Sequence, residues 1–216
     1  FSDLWVTWGA WPEVYDRSAD AATALGDDHL VAVHEGYRSW AQAVCRRDRE
    51  AAHAAATRSL EAARRAGDAT QEGWALNYRS FIATQRGDLL AARADAEAAV
   101  ALMVAVEDRE GAPQAMLGLA RVLSRLGLLD EAVATIRATV ARVADPAHRP
   151  RAQVAAFTEA NAQSHLAAAL TRAERWSEVV EPATEAIRLA EPLGVPNLLA
   201  SCYLDRGRAV LELGRP

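Results

Sequence analysis

Turn-forming residues return along this chain about every twenty positions, and that rhythm limits the possible folds more than any other feature. Gly87-Asp88-Leu89-Leu90-Ala91-Ala92 lines up with Gly127-Leu128-Leu129-Asp130-Glu131-Ala132, forty residues later. Glu174-Arg175-Trp176-Ser177-Glu178-Val179 takes the same place further on, and Gly214 follows Glu174 by forty. Upstream, Arg47 to Ala52 lies forty before Gly87, and Gly9-Ala10-Trp11 lies thirty-eight before Arg47. A second set falls midway: Gly26-Asp27, Gly67-Asp68, Glu107-Asp108, Asp145-Pro146 and Gly194-Val195. Internal repetition at such a period signals an array of small supersecondary units. Between markers each segment has the length of a helix of four to five turns. Ala115, Leu119, Val122, Leu123 and Leu126 recur at three- and four-residue spacing, as do Leu129, Ala132, Val133, Ile136, Val140 and Val143. Glycine at a marker accepts the left-handed conformation that ends a helix. Pro12 and Pro196 sit just after markers, where a missing N–H costs nothing. Asp145 to Arg151 stretches one interval to forty-seven and predicts a longer connector or an extended helix start, while Pro182 falls inside a helix that it should kink or start late.

Composition agrees. The chain has 216 residues, of which 50 are alanine and three isoleucine; it has no lysine, and all 24 basic residues are arginine. Alanine, leucine, arginine and glutamate favour helices, and strand formers are scarce. A β-rich fold is excluded, and an all-α protein of thin, closely packed helices is expected. Exclusive arginine and abundant alanine also suggest a GC-rich genome. The net charge of −5 argues against a general nucleic-acid surface, so no direct nucleic-acid contact is expected. No run of eighteen apolar residues exists to span a membrane, and no secretory signal is visible. Cys45 and Cys202 make no disulfide framework, which predicts a cytoplasmic protein. The start at Phe1 without methionine suggests a fragment or a processed piece.

Helix pairs with a small residue in the first helix, a turn glycine and an alanine five positions later resemble tetratricopeptide repeats. The glycine and alanine are Gly87/Ala92 and Gly127/Ala132; the earlier small residue is Ser80, Ala120, Ala167 or Gly207. Twelve positions past the turn, the later one is Ser59, Ala99, Thr139 or Ala186. Small side chains at crossing points let helices approach to the short end of the usual 8–10 Å. The resemblance covers residues 1–216 as one domain of about five and a half repeats. It implies a right-handed superhelical solenoid of antiparallel helix pairs. The family's usual repeat is 34 residues, whereas this one is about forty. Repeats of that length and style are similar to those in the C-terminal arms of bacterial signal-transduction ATPase regulators, of the maltose-regulator-like and streptomycete antibiotic regulatory protein types. That resemblance implies a non-catalytic sensing or interaction domain of a cytoplasmic transcriptional regulator. The chain itself has no GxxxxGK[ST] loop. A free-standing peptide-binding adaptor and a small-molecule-binding repeat domain are the rival readings.

Chemistry is sparse. His29, His34, His53, His148 and His165 show no metal-ligand spacing, and there is no HExxH or CxxC, so no metal, cofactor or catalytic residue is assigned. Carboxylates are expected at turns and on outer faces. Cys45, beside Arg46 and Arg47, has the setting for a lowered pKa. Trp5, Trp8 and Trp11 fit either a cap on the amino-terminal core or an interface with a missing domain or a second copy. Repeat proteins bind along a concave surface, and the resemblance places it on the first helix of each pair. Counting from the turns puts His34 and Tyr37 there, then Trp74, Asn77 and Phe81, then Gln114, Arg121 and Arg125, then Asn161 and Arg172, and Arg208 last. Trp74 and Phe81 fit packing between repeats equally well. The family's peptide-gripping asparagine is matched at Asn77; Tyr37, Leu117, Ser164 and Leu204 stand at the equivalent places. The expected partner is a protein or peptide, acidic ones included, or a small-molecule effector, with oligomers open.

Overall fold

Most of the described helices of this chain are followed by one residue in the left-handed region, and the next helix then begins almost at once. In the computed structural model, which describes residues 10–214, positive φ occurs at Gly26, Gly67, Gly87, Gly127, Gly194 and Gly214. It also occurs at Arg47 (57°), Glu107 (55°) and Glu174 (55°), the non-glycine residues at the same register. At Gly67 the amide donates to Arg64 O (3.2 Å) and the following Asp68 N–H donates to Ala63 O (3.0 Å). That is the paired bonding of a Schellman motif, and it recurs at Gly87, Glu107, Gly127 and Glu174.

The residue that closes one helix also opens the next. Asp68 Oδ1 accepts from Gln71 N (2.9 Å), Asp48 Oδ1 from Ala51 N (2.9 Å) and Asp108 Oδ1 from Gly111 N (2.8 Å). Asp27 Oδ1 does the same for Leu30 N (3.0 Å). Such caps satisfy helix N-termini that would otherwise lack partners. Asp88 at the same place, and Leu128 and Arg175 further on, do not cap through their side chains. A non-glycine residue in the left-handed region is strained, so Glu107→Gly and Glu174→Gly are expected to stabilise by about 0.5–1 kcal/mol each after glycine's entropy loss. Chemical denaturation midpoints check this.

Ten α-helices result among the described residues: α1 (Trp11–Leu25), α2 (Asp28–Val44), α3 (Arg49–Ala66), α4 (Ala69–Arg86), α5 (Leu89–Ala105), α6 (Gly111–Arg125), α7 (Leu129–Ala144), α8 (Ala152–Arg172), α9 (Trp176–Ala190) and α10 (Pro196–Glu212). No strand occurs among these residues. The chain divides into two compact units, one up to Gly118 and one from Leu119. In the first, α1 packs on α2, α2 on α3, α3 on α4 and α4 on α5, with α2 also touching α4. In the second, α7 packs on α8, α8 on α9 and α9 on α10, with α8 also touching α10. Asp145 to Arg151 is the longer connector the spacing predicts, lying between α7 and α8. Pro182 sits buried within α9, which starts at Trp176, so the late start is not seen. Pro12 and Pro196 lie in the first helical turn.

The small positions sit at crossings. Ser59 Oγ on α3 donates to Ala32 O on α2 (2.6 Å), and Ser80 Oγ on α4 donates to Ala92 O on α5 (2.8 Å). Each hydroxyl thereby fills a close approach between two backbones. Ala92, Ala99, Ala120, Ala132, Ala167 and Ala186 are fully buried. Gly207 departs from the pattern: it is exposed, and a Cβ there would meet nothing within 4 Å. Two crossings escape the repeat register. A Cβ on Gly36 would lie 3.3 Å from Tyr78 Cε2, and one on Gly73 would lie 2.9 Å from Met103 Cγ. With no space at Ala120, Ala120→Leu is expected to cost about 1–3 kcal/mol by overpacking. A thermal melt equal to the parent's would refute that packing.

Not every carboxylate stays on an outer face. Glu35 on α2 is 3% exposed. It accepts from Arg38 Nη1 (2.9 Å) and from Arg58 Nη2 on α3 (2.8 Å). Arg38 also pairs with Asp16 and Asp20 on α1, and Arg46 Nη1 reaches Asp16 Oδ2 (2.7 Å). Three helices are thus tied by one charged network. Burial works against the charge on Arg38, yet a hydrogen bond to Asp20 and the surrounding carboxylates together hold its guanidinium above the ordinary pKa.

Candidate functional site

The residues assigned to the first helix of each pair fall on α2, α4, α6, α8 and α10; Tyr37 and Trp74 join an aromatic group in the first unit, and Arg121, Arg172 and Arg208 a charged group in the second. In the first unit the group is aromatic. Tyr37 on α2 is 42% exposed and stacks on Tyr15 of α1 with centroids 5.3 Å apart. Tyr15 in turn stacks on Trp11 (5.4 Å). On α4, Trp74 and Tyr78 are one turn apart, with centroids at 6.1 Å and a tilt of 33°. Burial raises the Tyr78 phenol above its ordinary pKa, with Tyr37 and Tyr15 adding to the effect, so Tyr78 stays a neutral hydroxyl.

A cleft of about 110 Å³ opens among these rings, lined by Ala32, Val33, Gly36 and Tyr37 of α2, Ser59 of α3, and Gln71, Trp74 and Tyr78 of α4. Gly36 permits it, because Tyr78 lies against the bare Cα of α2. Tyr37 and Trp74 therefore share one small cleft. Trp74 also packs against the core around Leu76 and Met103, as the packing reading of this residue describes. Phe81 does not line the cleft and packs against Ala43, Ala52, Ala56 and Ile82. His34 and Asn77 are half-buried beside these residues in sequence, and the His34 Nδ1 is buried without a hydrogen-bond partner among the described atoms. Gln114 is half-buried on α6. Trp5 and Trp8 lie outside the described residues.

In the second unit the group is cationic. Arg121 on α6 and Arg172 on α8 both act on the ring of His165. Burial and these two guanidinium groups push the His165 pKa down to about 4, so the imidazole is neutral at physiological pH. Burial also lowers the Arg121 pKa. Asp205 on α10 faces Arg172 and Arg208; burial raises its carboxyl although both arginines and the Thr171 hydroxyl oppose this. Arg208 lies over the Trp176 ring, 5.1 Å from its centroid. Arg121, Arg172 and Arg208 are thus linked through His165 and Asp205, which sequence reasoning had not singled out. Arg125 is exposed at the end of α6, and Asn161 is half-buried on α8.

A larger groove, also outside the expected face, lies between α7, α8 and α9. It has about 780 Å³, a floor of Val140, Leu166, Leu170 and Pro182, and a rim of Arg137, Glu178, Glu181 and Glu185. Cys45 does not behave as its arginine neighbours suggest: burial raises its thiol more than Arg46 lowers it. Among the described residues no three His, Cys, Asp or Glu side chains gather as a metal-ligand set, and no helix is long and apolar enough to cross a membrane.

Solved structures with this arrangement exist. The nearly identical TPR-like repeats of a Podosopora anserina protein of kinesin light chain type superpose with a TM-score of 0.60, covering 85% of this chain and 87% of that one at 14% identity. A single-substitution variant of the same repeats gives 0.61, with 84% and 86% covered at 14% identity. The fold is that of TPR-like repeats. At this identity the likeness speaks for the fold alone. No protein-family model matches the chain, and no curated protein sequence matches it.

Proposed function

We propose that this TPR-like domain is a non-catalytic interaction module that holds a protein or peptide partner on residues of the first helix of each pair. The observation that carries the reading is the aromatic cleft that Tyr37 and Trp74 share between α2 and α4 of the first unit. TPR-like geometry supports it, since stacked repeats present extended binding surfaces. The aromatic cleft, at about 110 Å³, has room for a single side chain rather than a drug-sized ligand, which typically fills about 300–1,000 Å³; a small-molecule effector would fit the groove of about 780 Å³ between α7, α8 and α9 instead.

The repeat length of about forty and the style of its helix ends further suggest the sensing arm of a cytoplasmic transcriptional regulator. In that role the partner would shift the population between two arrangements of the regulator, by its differential affinity for them.

A peptide array screened with the purified chain tests the interaction reading. The best peptide is then titrated by fluorescence anisotropy against the parent, Asn77→Ala and Arg121→Ala/Arg125→Ala. Each variant is expected to bind at least fivefold more weakly, and the arginine contribution to shrink as salt rises from 50 to 300 mM. An affinity that ignores both variants while their circular dichroism is unchanged places the binding surface elsewhere.

A further inference from the structure

We propose that the cleft between α2 and α4 recognises a cationic side chain, an arginine or a methylated amine, on the partner; the inference rests on the interaction reading above. Three rings, Tyr37, Trp74 and Tyr78, line one cleft of about 110 Å³. That is the room of about four waters, enough for one compact head group. Aromatic faces attract a cation through their quadrupoles, most strongly when the cation is desolvated. An apolar side chain would gain only the burial of its surface.

Charge complementarity decides between these two guests. Residues 5–118 carry 17 acidic residues and 12 arginines, a net charge of −5, while residues 119–216 carry 11 and 12, a net charge of +1. The aromatic cleft therefore lies in the acidic unit, whose field draws cations. Asp68 and Glu72 stand on either side of Gln71, which lines the cleft at the start of α4. Both acids are already paired, Asp68 with His29 and Glu72 with Arg64. No carboxylate stands among the lining residues, so the attraction for a cation comes from the ring faces and from the unit's excess of acidic residues. Such a cleft holds its guest through ring faces and takes a weakly hydrated, spread-out cation more readily than a compact ammonium. Gln71 supplies an amide oxygen to a guanidinium N–H.

The test uses the whole chain and two probes of equal shape, choline and its uncharged analogue 3,3-dimethyl-1-butanol, followed through the Trp74 indole N–H by NMR. Choline is expected to bind at least fivefold more tightly. Tyr37→Leu, at an exposed position that does not threaten the fold, should weaken choline at least threefold. Equal or tighter binding of the neutral analogue would make the cleft an apolar socket and overturn the proposal. So would the absence of any Trp74 shift with either probe. If array peptides bind in an Asn77-dependent way and choline shows no preference, the cation assignment alone falls. If choline binds and no peptide does, the partner reading falls instead.

Discussion

Arg38→Met combined with Arg58→Met is expected to destabilise the first unit by about 3–5 kcal/mol, the penalty for a buried charge that has lost its partners. Glu35 is then left 3% exposed on α2 with neither guanidinium near it. Arg38→Met alone should cost less, because Arg58 still reaches Glu35 Oε2. Urea midpoints of the parent, the single variant and the double variant at pH 7 check this, and a double variant that unfolds at the parent's midpoint would show that Glu35 finds other partners or water.

The second large effect comes from His165. Its folded pKa of about 4 lies below the ordinary 6.5, so below pH 6.5 the unfolded chain takes up a proton that the folded chain refuses. Stability is untouched at pH 7 and falls as pH drops through the window from 6.5 to 4, by about 1.4 kcal/mol for each unit. His165→Gln removes the titration while keeping a polar side chain of similar reach. Its stability at pH 7 should be equal to or below the parent's, yet between pH 6.5 and 4.5 it should lose about 2 kcal/mol less. An NMR titration of the His165 ring that finds a pKa near 6.5 would refute the assignment.

The turns were legible because their chemistry is local. Gly26, Gly67, Gly87, Gly127 and Gly194 mark helix ends directly, and register alone placed Arg47, Glu107 and Glu174, all of which take the same positive φ. Asp145 was marked too, but it ends α7 in an extended conformation (φ −71°, ψ 119°), and a seven-residue connector follows. Of the residues named for the inner face, Tyr37 and Trp74 line one cleft, Arg121 and Arg172 act on His165, and Arg172 and Arg208 act on Asp205. What neighbouring helices add to a face was hidden. Tyr78, Gly36, His165 and Asp205 join these groups through contacts between helices far apart in sequence. Glu35 looked like a solvated surface charge for the same reason: one of its partners, Arg58, lies twenty-three residues away on the next helix.

The two-residue turns also decide where this chain tolerates a change of length. Between α3 and α4 the whole linkage is Gly67 and Asp68, and between α4 and α5 it is Gly87 and Asp88. One inserted residue in such a linkage either breaks the paired helix-end bonds or rotates the following helix by about 100°, carrying its alanine stripe out of the crossing. Insertions and deletions should therefore scramble packing almost anywhere among the short turns. The stretch from Asp145 to Arg151 has no such coupling, since α7 ends extended and α8 starts without a side-chain cap. It is the natural place to cut the chain or graft a loop.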